Sequence, residues 1–212
     1  MGKRGHSPRD QRMRVTLIRE AARIMAEESV ADYASAKRKA AERVGAPTTR
    51  NLPSNAEVED ALVEYQQIFA DPEREDHLRH LREQAVAAME FFEVFRPRLV
   101  GAVLAGTADE GSAVHLHLFA DTPETVALYL MDRGVPYETD ERRLRYGASQ
   151  WITRPVFRFV AGDVPVALTV FNEREIREAP RSDIHNRPMR RAGIAEVRKL
   201  VDVAGERQGE GQ

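Results

Sequence analysis

Along the first half of the chain, apolar residues recur every three or four positions; beyond Pro97 they recur every second one. The first regime predicts helices. One covers 12–28, with Val15, Ile18, Ala22 and Met25 on its apolar face. A second covers 33–44, opened by Asp32 as N-cap and stopped at Gly45. A third opens at Ser54-Asn55-Ala56-Glu57, a capping-box pattern, and carries Val58, Leu62, Tyr65 and Phe69 on one face. A fourth starts at Asp71-Pro72-Glu73, runs to about Phe95 and buries Leu78, Leu81, Val86, Met89 and Phe92. The second regime predicts strands over 99–104, 113–119, 137–146, 151–160 and 164–171. A helix over 125–133 follows Thr122-Pro123-Glu124, the stretch 172–188 reads as loop, and a last helix covers 192–203. The expected fold class is α+β: a helical N-terminal half, then a small mixed β-sheet with helices. The expected division is an arm without structure at 1–10, a helical region at 11–96, an α+β region at 97–204 and a flexible tail at 205–212.

Composition narrows this picture. The chain has 212 residues, enough to bury a core, and 42% of them are hydrophobic. No apolar run approaches the ~18–20 residues of a membrane span, and the basic start is not followed by the apolar stretch of a secretory signal. Cysteine is absent, which excludes disulfides, thiolate metal sites and thiol catalysis and fits a cytoplasmic protein. The net charge of −2 hides an asymmetry: residues 1–50 carry 12 Lys/Arg against 6 Asp/Glu, and residues 51–97 carry 4 against 11. Such segments either neutralise one another in the fold or leave a basic surface for nucleic acid.

The stretch Arg98–Asp121, RLVGAVLAGTADEGSAVHLHLFAD, holds the most specific pattern. An apolar run leads to a small glycine-bearing loop and then to a strand with polar residues two apart. This resembles the core of the polymerase-beta-like nucleotidyltransferase superfamily. There, Gly-Ser at a helix start holds the triphosphate through backbone N–H groups. A Ser-Asp-x-Asp strand and a third acid on a later strand hold Mg²⁺. On this resemblance Gly106-Thr107 stands for Gly-Ser, and Ser112-Ala113-Val114-His115 for the acidic strand. Neither Ala113 nor His115 is acidic, and strand 165–171 offers no carboxylate. Imidazole is a poor ligand for so hard a cation. The resemblance therefore implies a degenerate member without a Mg²⁺ site or other cofactor. Such a protein would bind a nucleotide or phosphorylated small molecule through Gly106, Thr107, Ser112, His115 and His117 without transferring it.

Other constellations compete with that reading. His115 and His117 share one strand face and suit a transition metal only if a third ligand joins them. The first two helices resemble the opening of tetracycline-repressor-type regulators. If they read DNA, the contacts would be Lys37, Arg38, Lys39 and Arg43, although the next helix is acidic and would repel phosphate. A structural interaction protein using the apolar helical faces is the third class. Arg142, Arg143, Arg145, Arg154 and Arg158 alternate late in the chain, so some could converge on a phosphate while others pair with Glu138, Asp140 and Glu141. No P-loop and no serine-hydrolase elbow is present.

Overall fold

The computed structural model describes residues 8–28, 30, 32–69, 71–146, 150–182 and 184–209. They fall into two compact units that divide between Asp71 and Pro72.

The first unit is helical, with α1 (Pro8–Glu27), α2 (Tyr33–Arg43) and α3 (Asn55–Ile68). Residues 8–10, expected in an arm, are helical; 1–7 lie outside the described residues. The buried stripe of α1 is Leu17, Ala21 and Ile24, with Ala22, whereas Val15 is exposed. The stripe is thus rotated from the expected one. It faces Ala36, Ala40 and Ala41 of α2, and those small side chains let the two helices approach closely. Asp32 caps α2, accepting hydrogen bonds from the N–H groups of Ala34 and Ser35. Ser54 and Glu57 form the full reciprocal capping box of α3, and Arg14 closes on Glu57 at 2.7 Å. Val58 and Leu62 are buried as expected, but Phe69 is exposed.

The second unit begins with α4 (Pro72–Phe91), so the change of period at Pro97 falls inside this unit and not at its edge. After a 3₁₀ turn at Glu93–Phe95 come β1 (Arg98–Val100), α5 (Ala102–Ala105), β2 (Val114–Phe119), α6 (Pro123–Asp132), β3 (Glu138–Tyr146), β4 (Gln150–Ala161) and β5 (Val164–Phe171). A 3₁₀ stretch at Glu173–Arg177 sits within the expected loop, and α7 (Ile194–Gly209) ends the described chain. The tail expected from 205 is therefore helical as far as Gly209. The five strands form one mixed sheet in the order β1-β2-β5-β4-β3. The β2–β5 pair is parallel and the other three pairs are antiparallel. The fold is α+β.

Alternation assigns the two faces. Val114, Leu116 and Leu118 of β2 and Val166, Leu168 and Val170 of β5 pack with Leu81, Met89 and Phe92 of the α4 region, Val126 and Leu130 of α6 and Val197 of α7. The helices therefore cover one face. On the opposite face Phe119, Leu144, Tyr146 and Phe171 form a small second cluster with Ile152 and with Ile176 of the 173–177 turn. Further along that face His117, Val156, Ala167 and Thr169 are also buried.

The apolar run 99–104, expected as one strand, breaks at Gly101. The chain leaves β1 with Gly101 at φ +78°, ψ −157° and enters the short α5. That backbone region is open essentially to glycine alone.

Candidate functional site

The strand registers build the site on the face opposite α4, α6 and α7. One row across the sheet reads Val100, His115, Ala167, Arg158 and Glu138. The next reads Arg98, His117, Thr169, Val156 and Asp140. Directly paired residues point to the same side, and so does Arg142, two residues beyond Asp140 on β3. The small Ala167 and the buried Thr169 thus form a floor between two histidines and a set of arginines. Gly101 closes the edge: a Cβ there would sit 3.6 Å from Cδ2 of His115.

The two histidines differ. His117 is 1% exposed, and its Nδ1 accepts a hydrogen bond from Nε of Arg191 at 3.0 Å. An arginine only donates, so the proton of the neutral imidazole is fixed on Nε2. Burial, then Arg191, Arg142 and His115, hold His117 well below the ordinary histidine range. Arg191 is itself clamped. Its Nη1 donates to the carbonyls of Glu175 at 2.9 Å and Glu178 at 3.2 Å. Its guanidinium lies 5.1 Å from the ring centre of Phe119 and 4.9 Å from that of Phe171. His115 is half-buried and carries no such clamp. Burial, then Arg142 and Arg158, push it down to about 4.

Two carboxylates on this face, Asp140 and Glu175, are occupied. Asp140 accepts from Nε and Nη2 of Arg158 at 3.1 and 2.9 Å. Glu175 accepts from Arg154 at 2.5 Å and from the Tyr146 hydroxyl at 3.3 Å. Burial and the nearby Glu175 carboxylate push the Tyr146 phenol up to about 12. Arg142, partly buried, makes no ion pair among the described residues. Arg143 and Arg145 point to the other side of the hairpin, over the Trp151 ring at 4.9 and 5.9 Å. Of the late arginines, then, Arg142, Arg154 and Arg158 share the histidine face. Arg191 joins them through the tertiary fold, and nothing in its local sequence marks it.

Gly106 and Thr107 are placed differently from expectation. They close the C-terminal end of α5, and both backbone N–H groups donate to the carbonyl of Ala102, at 2.8 and 3.0 Å. The Gly106 carbonyl accepts from Arg74 at 2.7 Å. These N–H groups are spent and cannot cradle a phosphate. The helix start that follows a strand is Gly101-Ala102, one turn earlier. Ser112 stands before β2 and is engaged locally, donating to Oδ1 of Asp109 at 2.6 Å while accepting from the Asp109 N–H at 2.9 Å. His115 and His117 are the two candidates that the fold brings to this face, His115 half-buried and His117 buried.

No group of three or more His, Cys, Asp or Glu able to hold a metal gathers among the described residues. The two positions that the resemblance would make acidic, Ala113 and His115, offer Mg²⁺ no side-chain oxygen, and the Asp140 and Glu175 carboxylates of the face are ion-paired with arginines. In the first unit, Lys39 and Arg43 pair with Glu28 at 3.4 and 2.7 Å. Lys37 donates to Asn55 at 2.7 Å and Arg38 to Ser35 at 3.2 Å. Of these four candidate contacts, Lys39 and Arg43 are ion-paired, whereas Lys37 and Arg38 meet neutral side chains. No helix among the described residues is long and apolar enough to cross a membrane. Comparison of the chain with protein-family models, with curated proteins and with solved structures finds no match in any of the three.

Proposed function

We propose that the protein binds a nucleotide or another phosphate-bearing ligand at the sheet face that carries His115, and that it does not transfer nucleotide. One observation carries this reading: the half-buried His115 shares that face with Arg142, Arg158 and Arg191, and neither β2 nor β5 contributes a carboxylate. A site rich in donors and poor in acceptors suits a multiply charged anion. The order strand, glycine, short helix, strand in residues 98–119 supports a likeness to the polymerase-beta-like nucleotidyltransferases, with Gly101-Ala102 at the position of the Gly-Ser pair. In such enzymes the strand acids hold the metal that drives transfer. Here the corresponding positions are Ala113 and His115, and the β5 residue opposite His115 is Ala167. Guanidinium and imidazole groups would take over charge neutralisation, so binding would proceed without Mg²⁺.

Calorimetry with ATP, GTP, CTP and UTP, with and without Mg²⁺, tests the reading beside a labelled-nucleotide transfer assay. At least one triphosphate should bind without Mg²⁺. Arg142→Gln should weaken that binding by about tenfold or more, the loss of one charge-assisted hydrogen bond. Mg²⁺-dependent transfer by the unmodified protein, or no binding of any of the four, would overturn it.

A further inference from the structure

Resting on that reading, we propose that the His115 face binds its anion together with a proton. His115 becomes imidazolium when a dianionic phosphate or sulfate group lies against it, Arg142 and Arg158, so the site favours doubly charged anions and tightens as pH falls.

The geometry distinguishes the two histidines. His117 cannot take this part: protonating Nδ1 would set an N–H against the Arg191 N–H, which stands 3.0 Å away and is fixed by Phe119, Phe171 and the carbonyls of Glu175 and Glu178. Among the described residues His115 has no hydrogen-bond partner to lose, and its ring borders Gly101, where no side chain intrudes. Charged and polar groups face it from the four other strands and from the 173–192 segment. On its own strand stands His117, held neutral. From β1 come Val100 directly opposite and Arg98 one row on. From β5 come Ala167 and Thr169, which carry no charge. From β4 come Arg158 and Arg154, and from β3 Arg142, Asp140 and Glu138. From the 173–192 segment come Glu175 and Arg191. Asp140 is committed to Arg158, and Glu175 to Arg154. Glu138 stands at the outer edge of the sheet, beyond Arg158 in the same row. The cations therefore dominate the field at His115, and its proton affinity is suppressed to about 4 by burial, Arg142 and Arg158. A dianion cancels that field. Lying against the imidazole, it also favours the charged form directly, so proton affinity rises from about 4 toward the ordinary range although burial, the largest cause of the suppression, remains. It then adds a charge-assisted hydrogen bond to the anion. By linkage, an anion that raises the histidine pKa must bind more tightly where the proton is available.

Sulfate is the discriminating probe, because it stays a dianion throughout this range and cannot itself take up the proton. Calorimetric titration of the full chain should show sulfate affinity rising about tenfold or more from pH 7 to pH 5, the ratio expected for a pKa moving from about 4 toward 6.5. Repeating it near pH 5.5 in buffers of different ionisation enthalpy should show uptake approaching one proton per sulfate. Imidazole ¹⁵N spectra of the wild-type protein should show one ring becoming imidazolium as sulfate is added, while the ring carrying its proton on Nε2 stays neutral. His115→Gln should lose both the pH slope and that ring's response. If ATP and sulfate bind with affinity flat from pH 7 to pH 5, or if His115→Gln keeps the slope, proton coupling fails and the phosphate-binding reading survives. If neither ATP nor sulfate binds at any pH, both fail. Should His115→Gln not fold, the wild-type ring spectra and the proton count decide alone.

Discussion

At the scale of single residues, Gly101 and His115 define the site together. Gly101 adopts a backbone conformation that a side chain disfavours, and its missing Cβ leaves room beside the imidazole. Gly101→Ala should therefore cost about 1–3 kcal/mol of stability through backbone strain, read as a lowered urea midpoint. The sequence hides this position because LVGAVLA reads as one apolar run. The usable signal was an isolated glycine inside a strand pattern, followed by residues that favour helix. The pairing of His115 with His117 on one face was legible from period-2 alternation alone, and so was the chance that late arginines converge. The clamp on His117 was not, because Arg191 lies far along the chain in a segment without periodicity. The suppressed proton affinity of His115 also has a stability consequence. Between its folded value of about 4 and the ordinary 6.5, the unfolded chain binds more protons than the folded one. Stability is thus full above pH 6.5 and falls as pH drops toward 4, by about 3 kcal/mol for this group. His117 acts in the same direction. Without added anion, unfolding followed from pH 7 to pH 4 should show the decline, and His115→Gln should flatten part of it.

At the scale of elements, helix ends were more legible than helix faces. The Ser54-x-x-Glu57 box is local chemistry, and the fold realises it: the Ser54 N–H donates to Glu57 at 2.8 Å, and the Glu57 N–H to the Ser54 hydroxyl at 3.3 Å. Arg14, Ser54 and the Ser54 N–H bring the Glu57 carboxyl down to about 2. Ser54→Ala should cost about 1 kcal/mol, seen as a fall in the melting temperature of the first unit. Glu57→Gln should retain part of the box, since an amide oxygen still accepts, but should lose the ion pair with Arg14. The Glu57 contribution is present above pH 4.5 and is lost as pH falls through about 2, a window lower than the histidine window. The face of α1 was harder to read, because Val15, Ile18 and Met25 compete with Leu17, Ala21 and Ile24 for the same role. Packing against the alanines of α2 chose the second set, which no local rule encodes. The short α5 escaped for a related reason: its four residues make barely one turn, too few for a helical period to show.

At the scale of the molecule, the boundary depends on which core each helix joins. Leu78, Leu81, Ala85, Ala88 and Met89 of α4 are buried with the sheet residues, while the buried cluster of the first unit draws only on α1, α2 and α3. Period alone cannot reveal this, since α4 repeats as the preceding helices do and only its partners differ. Each unit thus has a hydrophobic core of its own, and every residue of the histidine face comes from beyond Asp71. A chain of residues 72–212 should therefore unfold cooperatively in a calorimeter, because the core that supports β1, β2 and β5 is intact within it. It should also bind ATP with an affinity within a few-fold of that of the full chain. A chain of residues 1–71 should not bind ATP, because the Lys39 and Arg43 ammonium and guanidinium groups are already matched by Glu28. ATP binding that needs both pieces would place part of the ligand's contacts in the helical unit. A piece 72–212 that melts without a cooperative transition would show that its core does not suffice to hold the sheet.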